Sequence, residues 1–434
     1  MILRINAKKF SLNTQVFLVS FMLGVFFFQG YFIDQGVSEN IKYVLDVLNV
    51  ALLITVLKRS RRINAVNKGI LVLYAVLGVS GSLVMLVNAD VWETNILYWM
   101  LDCRNLLRFP IFLIACNMLL REKDVEFLFK GMLLLQPVNT VLIIYQYFTV
   151  EVWAYWMRGD NLNGFFGTRV GGNQYLNVFL LAVTMIAYAM WKWKKIRTKW
   201  FLLCIGTCLL DAALAELKAY FVEIILIMAL FWLTEKRWKK ITRSQLVRGM
   251  GFLFIGVVGL YFMVQMLYKL YPIFNGSLSL DKIISIAVDD AGYTGSGDLN
   301  RLNAVSGVFQ NIFGGDILRG LFGLGIGSAY TGGNMTRFAH TYFDTHYSWF
   351  SSSYMFVETG FLGLVLYAGT FFYCYAKCKK NNMYGSISKV TSIMAVFLII
   401  YNEVLKTEGG YLVYFLISAG FIAESREIKL KQKR

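Results

Sequence analysis

The amino-acid sequence predicts an all-α polytopic membrane protein of about twelve transmembrane helices, with a large extracytoplasmic loop between spans 9 and 10. Hydrophobic residues make up 57% of the 434 residues and charged residues 16%, whereas soluble domains contain about a quarter charged residues. Nearly uncharged runs of roughly 18 to 25 residues recur along the chain, and each can cross a hydrocarbon layer about 30 Å thick. We therefore expect one integral membrane domain over residues 1–434.

The predicted spans follow the apolar runs of the sequence. The first run comes after a basic N-terminus and has no small-residue cleavage site, so we expect an uncleaved span rather than a signal peptide. Spans seven and eight are short and nearly contiguous, so a re-entrant pair is the alternative there. The spans cover residues 15–33, 41–57, 69–88, 97–120, 131–149, 174–191, 200–214, 217–234, 250–268, 351–375, 388–405 and 410–423.

The formal net charge of +17 reflects where Lys and Arg are concentrated. With the N-terminus in the cytoplasm, every basic cluster lies on the cytoplasmic side, as short cytoplasmic loops require. The loops predicted to lie outside, such as 34–40 and 89–96, contain no Lys or Arg. No basic patch accompanies a nucleic-acid motif, so the charge indicates membrane topology rather than nucleic-acid binding. Both termini are predicted to be cytoplasmic. The clusters are 58–68, 192–199, 236–248, 377–389 and 426–434.

Two predicted outer segments are longer than simple connections. One covers 150–173, and the other covers 269–350 and contains both histidines of the chain. Loops longer than about 15 residues are usually functional or disordered. Apolar stretches in the second loop, including VFQNIF and IFNGSLSLDKIISIAV, predict short helices. The sequence has no internal repeat, so it does not support an inverted-repeat transporter.

Ionisable residues within the predicted spans are functional candidates, because charge inside a bilayer is costly. In span four they either form pairs near the outer end or bind an anion, and in spans seven and eight they pair with each other or line a polar cavity. Glu403 and Lys406 are predicted to form an interfacial pair. The six cysteines lack the additional ligands of a metal site, so a structural role is expected. The candidates are Asp102, Arg104 and Arg108 in span four, and Asp211, Glu216, Lys218 and Glu223 in spans seven and eight.

The most distinctive stretch of the sequence lies at the end of the second outer loop. A turn with Gly323, Gly325 and Gly327 allows close approach of the backbone. It follows no predicted strand, so a dinucleotide-binding or P-loop motif is excluded. The loop then brings three polar side chains to the outer membrane surface, ahead of a span that opens with an E-T-G-F-L-G run. Those side chains are His340, Asp344 and His346, and the run contains Glu358, Gly360 and Gly363.

At these residues the chain resembles the O-antigen polymerase and O-antigen ligase family of C-type glycosyltransferases. That family shows an Arg early in a large outer loop, a G-x-G-like turn, a His near the loop end, and E-x-G-x-x-G entering a helix. The earlier segment GFFGTRVGGNQYLNVFL is similar to a family loop in which a G-x-F run precedes an Asn and a new span. The positions that match are Arg301, Gly323, Gly325, Gly327, His346, Glu358, Gly360 and Gly363.

Two departures from the family pattern favour the more variable polymerases over the ligases. The short pair of spans seven and eight is similar to a family hairpin with an Arg near its turn, but this chain has Lys218 there. Lys keeps the charge and loses the bidentate geometry of Arg. His346 is followed by Tyr347 rather than a small polar residue, and it lies farther from Gly360 than in the ligases.

The resemblance implies transfer of a glycan from undecaprenyl pyrophosphate to a sugar hydroxyl, on the outer face of a bacterial cytoplasmic membrane. The acceptor is a second lipid-linked repeat unit for a polymerase of O-antigen, capsule or exopolysaccharide, and lipid A-core for a ligase. A chain-length regulator and a flippase are the implied protein partners. No cofactor and no metal are expected, although Asp298 or the pair Asp289 and Asp290 offers an alternative cation site.

The implied reaction needs a base for the acceptor hydroxyl and positive charge for the leaving pyrophosphate. His346 is expected to be that base or to orient the acceptor, with His340 and Asp344 as lesser candidates. A histidine beside Tyr and Trp is also typical of a membrane-interface belt, and Arg301 could be a solvated loop residue. The residues expected to bind the pyrophosphate are Arg301, Lys218, Arg169, Arg104 and Arg108.

Two other protein classes remain as alternatives. A lipid-linked oligosaccharide flippase also has about twelve spans, but carriers place their polar residues among the helices and keep outer loops short. The long second loop therefore argues against that class. A non-enzymatic assembly or receptor protein would tolerate changes of its buried His and Arg residues.

Overall fold

The computed structural model describes residues 14–59, 63–92, 94–151, 158–169, 171–235, 251, 265, 268–269, 298–332, 335–379 and 381–431. Within these ranges the chain forms helices and turns, and it contains no strand. The described residues include eleven long helices of the bundle. They are α1 Thr14–Asp34, α2 Tyr43–Arg59, α3 Ala65–Trp92, α4 Ile96–Leu119, α5 Glu122–Thr149, α6 Gly172–Lys192, α7 Thr198–Leu214, α8 Lys218–Glu235, α9 Ser351–Lys377, α10 Met383–Tyr401 and α11 Gly410–Lys431.

The helices confirm an α-helical membrane protein. Seven helical segments, all within the described residues, are long and apolar enough to cross a membrane. Each predicted span other than the ninth overlaps one long helix, and most of span nine, 250–268, lies outside the described residues. The total of about twelve spans therefore stays a prediction. The seven segments are Thr14–Asp34, Glu39–Lys58, Ala65–Asn88, Glu122–Thr149, Gly172–Lys192, Ser351–Lys377 and Met383–Tyr401.

The apolar residues divide the bundle into an interior and a lipid-facing surface. Helix α11 packs against α4 and α10, and α9 packs against α3 and α10. Helix α6 lies among α5, α7, α8 and α10, and most of its side chains are buried. Helices α2 and α3 instead expose large apolar side chains, among them Val47, Val50, Leu83 and Val87. Such a surface suits contact with lipid tails, where apolar side chains need no burial against protein.

One end of the bundle carries the described part of the second outer loop, and we call this end the loop side. Residues 298–332 and 335–350 form short helices at Ala304–Gly307, Ile317–Phe322 and Arg337–Tyr342, and a π-helical turn at Val308–Ile312. The predicted helix in VFQNIF is thus present, whereas IFNGSLSLDKIISIAV lies outside the described residues. Apolar side chains of this loop, including Val308, Phe338 and Tyr347, form a second small core against Phe356 of α9.

The first outer loop packs between helices of the bundle. Its two 3₁₀ turns, Gly159–Asn161 and Gly164–Phe166, lie among α1, α5 and α6. Gln146 of α5 exchanges two hydrogen bonds with the backbone of Gly164, at 2.7 and 2.9 Å. Gly30 of α1 lies so close to Phe166 that a Cβ there would meet its carbonyl oxygen at 2.0 Å. The described part of this segment, 158–169 and 171–173, therefore contributes to the core on the loop side.

Candidate functional site

The glycine turn of the second loop is bound to a break in helix α9. Gly360 has a φ of +63°, so the helix is interrupted there. The N–H groups of Leu324 and Gly325 donate to the carbonyl oxygens of Val357 and Glu358, at 2.8 and 2.9 Å. A Cβ at position 360 would meet the backbone of Leu321 at 2.4 Å. The two glycine motifs are therefore halves of one backbone junction, in which glycine is required by close approach and by positive φ.

Glycine is also needed where the same turn crosses two neighbouring helices. A Cβ on Gly325 would meet the backbone of Met85 in α3 at 2.2 Å, and one on Gly327 would meet Trp99 in α4 at 2.7 Å. Gly323 packs in the same way on Thr359, at 2.6 Å. Gly363 lies one turn beyond the break, against the side chain of Thr359. The turn thus joins α3, α4 and α9 on the loop side.

A buried pair of carboxyl groups lies under this turn. Glu358 accepts a hydrogen bond from the N–H of Gly327 at 2.8 Å. Asp102 accepts from the Tyr354 hydroxyl at 2.9 Å and from the Asn105 amide at 3.0 Å. Asp102 and Glu358 are each 3% exposed, and their carboxyl groups act on each other electrostatically. Two buried carboxyl groups that act on each other in this way repel when both are ionised.

His346 is held by a carboxylate from the beginning of the described loop. Its Nδ1 lies 2.9 Å from Oδ2 of Asp298, whose side chain is fully buried, whereas His346 is 22% exposed. The N–H of Leu299 also donates to the carbonyl of Thr345 at 3.0 Å, so the backbone joins the same two parts of the loop. In the neutral imidazole, a hydrogen on Nδ1 that is donated to an ionised Asp298 leaves the lone pair on Nε2.

The backbone and a neighbouring ring fix the orientation of His346. Its φ of +56° is uncommon for a residue with a Cβ. Its N–H donates to the carbonyl of Phe343 at 3.1 Å, and its carbonyl accepts from Trp349 at 3.0 Å. The Trp349 ring stacks on the imidazole with centroids 3.8 Å apart. The lesser candidates His340 and Asp344 are exposed, and the structure gives neither a hydrogen bond to His346 within the described residues.

Arg301 lies three residues after Asp298 and contacts the end of α10. Its Nε donates to the carbonyl of Tyr401 at 3.2 Å, and its guanidinium lies over the Tyr401 ring at 4.5 Å. It is also close enough to Glu223 of α8 for electrostatic attraction. The predicted cation of the loop therefore lies, half-buried, where the loop, α8 and α10 come together.

Lys218 begins α8 and has carboxyl groups as neighbours. It interacts electrostatically with Glu216 in the turn before α8 and with Asp160 of the first outer loop. Burial raises the pKa of Glu216 to about 7, with Lys218 opposing the shift and Asp160 adding to it. Burial also raises the pKa of Asp160, although a hydrogen bond from Asn173 and the charge of Lys218 oppose the shift.

The other three predicted phosphate ligands have carboxylate partners. Arg104 is paired with Asp46 of α2, and Arg108 with Glu408 at 3.1 Å. Arg108 also donates to the carbonyl of Lys406 at 2.6 Å. Arg169 is 58% exposed and contacts Glu39 at 2.5 Å and Asp34 at 3.7 Å. Their role in binding pyrophosphate stays a prediction, and it would require exchange of these partners.

The ion pair of Arg108 and Glu408 anchors the connection between α10 and α11. Burial alone would raise the pKa of Glu408, but the charge of Arg108 and a hydrogen bond from Tyr175 hold it below its usual range. In the same connection Lys406 pairs with Glu403 at 3.2 Å, as the sequence predicts, and lies over the Tyr354 ring at 4.0 Å. Lys406 also lines a cavity of about 30 Å³ beside the carboxyl pair of Asp102 and Glu358.

Metal ligands do not converge in the part of the chain that the structure describes. No group of three or more His, Cys, Asp and Glu side chains there has the arrangement of a metal site. The alternative cation ligands Asp289 and Asp290 lie outside the described residues, and Asp298 is bonded to His346. The six cysteines are unbridged, and five of them are buried.

Sequence reasoning missed the partner of His346. Asp298 was weighed as a cation ligand, whereas the structure bonds it to the imidazole. The D-L-N-R order placed Asp298 next to the predicted Arg301, and this proximity was the available signal. The sequence singled out Glu223 and Glu403 without their partners in α6, and it did not single out Asp160 or Glu408, because these four carboxylates come from three separate segments. Comparisons of the chain with models of protein families, with curated proteins and with solved structures return no match.

Proposed function

We propose that this protein polymerises oligosaccharide repeat units that are linked to undecaprenyl pyrophosphate, on the outer face of a bacterial cytoplasmic membrane. The observation that carries the proposal is the bonded pair of Asp298 and His346 on the loop side, with Arg301 in the same loop. A membrane bundle that positions a base and a cation at one end is suited to a substrate with a lipid tail and a pyrophosphate headgroup.

The reaction in this proposal is a displacement at an anomeric carbon. The acceptor hydroxyl oxygen forms a bond to the anomeric carbon while the bond from that carbon to the pyrophosphate oxygen breaks. Nε2 of His346 takes the hydroxyl proton, and the lipid pyrophosphate leaves with the bonding electrons. Arg301 and Lys218 stabilise the negative charge that develops on the leaving group.

The length of surface polysaccharide made by a deletion strain tests the proposal. The strain is complemented with the wild-type gene or with His346→Ala, and the polysaccharide is separated on a gel. Loss of the gene should leave single repeat units, and only the wild type should restore the long ladder. An unchanged ladder after deletion would contradict the proposal.

The same deletion strain distinguishes the alternatives. Long chains that remain on the lipid carrier after deletion would indicate a ligase. Repeat units that accumulate on the cytoplasmic side, accessible to added enzymes only after the membrane is opened, would indicate a flippase. The long loop with its bonded histidine favours an enzyme, because carriers place their polar residues among the helices and keep outer loops short.

A further inference from the structure

Four side chains in the first two turns of α6 each donate a hydrogen bond to a carboxylate. The four carboxylates come from three segments: the first outer loop, helix α8, and the connection between α10 and α11, which supplies two of them. The bonds are Asn173 to Asp160 at 2.9 Å, Gln174 to Glu403 at 3.1 Å, Tyr175 to Glu408 at 3.0 Å and Asn177 to Glu223 at 2.9 Å. We call these side chains the α6 row.

Two oxygens at the inner end of the α6 row lack a partner within the described residues. Oδ1 of Asn177 and Oε1 of Glu223 make no hydrogen bond there, and the two residues are 3% and 0% exposed. Buried polar atoms in native structures are nearly always hydrogen-bonded, to protein, water or ligand. When Glu223 is ionised, both oxygens only accept hydrogen bonds, so the group that completes them is a donor.

The dimensions and the charge of the row limit what that group is. Asn173 and Asn177 lie one helical turn apart, about 6 Å along the axis, which is comparable with the length of a pyranose ring. Asn173, Gln174, Asp160 and Glu403 are half-buried and thus reachable. The carboxylates repel phosphate, whereas sugar hydroxyls both donate and accept. The row therefore suits a neutral sugar.

The cations of the proposed site lie next to both ends of the row. Lys218 acts electrostatically on Asp160 at the outer end, and Arg301 acts on Glu223 at the inner end. A pyrophosphate held by these cations would place the sugar bonded to it against α6. The positions of Lys218 and Arg301, together with the amides of the α6 row, identify the sugar at the row as the one bonded to the pyrophosphate.

We infer that the α6 row is a binding subsite for the sugar bonded directly to the pyrophosphate of the lipid-linked substrate. The inference rests on the proposed function and extends it to the choice of substrate. Asn177 and Gln174 offer amide groups to the sugar hydroxyls, and Glu223 and Glu403 accept hydrogen bonds from them. The row thereby selects the first sugar, while Arg301 and Lys218 hold the part that all lipid pyrophosphates share.

Binding of two lipids to the full-length protein in nanodiscs tests the inference. One lipid is undecaprenyl pyrophosphate without sugar, and the other is the lipid-linked repeat unit extracted from the deletion strain. The variants are Gln174→Met and Asn177→Leu, which keep side-chain volume and remove the amide. Each should bind the sugar-bearing lipid about tenfold more weakly, as expected for a lost hydrogen bond to a charged or amide group. Binding of the sugar-free lipid should not change.

The pair of Asn117 and Asn67 supplies a matched control. These two amides are bonded at 2.7 Å in the opposite half of the bundle, so Asn117→Leu should leave the ratio of the two affinities unchanged. Gln174 is half-buried, so its variant remains informative if Asn177→Leu does not fold.

Each other outcome overturns a defined part of the argument. Equal weakening for both lipids would show that the row supports the fold or the pyrophosphate, and unchanged binding of both would show that it does not contact substrate. Either result would overturn the subsite and leave the proposed function standing. A wild-type protein that binds neither lipid would overturn the proposed function itself.

Discussion

Two polar regions on the loop side use the same residue types in different ways. The α4 cluster comprises Asp102, Arg104 and Arg108 with their partners, and the loop cluster comprises Asp298, His346, Arg301 and Lys218. Asp102 and Arg108 are 3% and 5% exposed. Asp102 accepts a hydrogen bond from Tyr354 of α9, and Arg108 pairs with Glu408 in the connection between α10 and α11. His346, Arg301 and Lys218 are half-buried.

The difference shows how to tell a structural charged residue in the membrane from a functional one. The partners and the exposed fraction of the side chain indicate its role, and the charge alone does not. Removing one partner of a buried ion pair leaves an uncompensated charge, so such pairs are required for the fold once formed. A half-buried group can exchange a protein contact for a substrate at much lower cost. We therefore propose a structural role for Asp102 and Arg108 of the α4 cluster and, as part of the proposed function, a role in substrate chemistry for the loop cluster.

The largest expected effect is on the rate of polymerisation when His346 is changed. His346→Gln should reduce the rate about 10²- to 10⁴-fold, the usual contribution of a general base. Thermal unfolding in detergent should remain near that of the wild type, because His346 is partly exposed. A rate within about threefold of the wild type, at normal expression, would remove His346 from the chemistry.

The α4 cluster should give the opposite result when Arg108 is changed. Arg108→Ala leaves Glu408 without its ion partner and should cost about 3 to 5 kcal/mol of stability. The readout is the unfolding temperature in detergent. The double variant Arg108→Ala/Glu408→Gln should recover part of the loss, because it removes the orphaned charge. No difference between the single and double variants would contradict the ion-pair explanation.

A smaller effect is expected at the junction of the glycine turn. Glu358→Ala removes the acceptor for the N–H of Gly327 and should cost about 1 to 3 kcal/mol. Glu358→Gln retains an acceptor oxygen of the same size and should lose much less. Chemical unfolding of the two purified variants compares them, and equal losses would mean that the carboxyl pair with Asp102, rather than the bond to Gly327, is the important contact.

The smallest expected effect is on the pH dependence of the stability of the fold, through Glu216 next to Lys218 in the loop cluster. The pKa of Glu216 is raised to about 7 in the fold, from an ordinary value of about 4.3. As pH rises from about 5 to 7 the unfolded chain ionises first, so the folded protein loses stability over this range. Glu216→Gln should therefore be more stable than the wild type at pH 8 and similar at pH 4.5. An equal difference at both pH values would exclude this titration.

The helices predicted from the sequence agree with the structure where the local pattern of apolar residues determines the helix. The apolar runs predict ten of the helices α1 to α11, and most of the predicted helix ends lie within a few residues of the observed ones. The exception is α5, which begins at Glu122, well before the predicted start at 131. Its first turns are amphipathic and pack against the interior, with Val125 and Phe129 buried, so an apolar-run criterion misses them. Helix α10 is extended in the same way, from 388 back to Met383.

The sequence also identified both glycine motifs and the histidine, although not their relation to each other. Glycines at 323, 325 and 327 indicated a close backbone approach, and the structure supplies the surface that they approach, the break at Gly360. The segment 150–173 was expected to be an outer loop, but its described residues fill space between α1, α5 and α6. Aromatic residues such as Phe166 are buried there because they complete the core near Phe26 and Phe27.

By itself the sequence determined that this chain is an α-helical membrane protein, because the free energy of placing a side chain in lipid is a local property that adds along a run. It also determined which residue types are available at the loop side. Only the tertiary structure decided which of them act together: it paired Arg104 and Arg108 with carboxylates, bonded Asp298 to His346 and aligned four carboxylates with α6. Those outcomes depend on contacts between segments tens to hundreds of residues apart. Electrostatic and hydrogen-bond energies depend on the distance between atoms in space, which the spacing of residues along the sequence does not give.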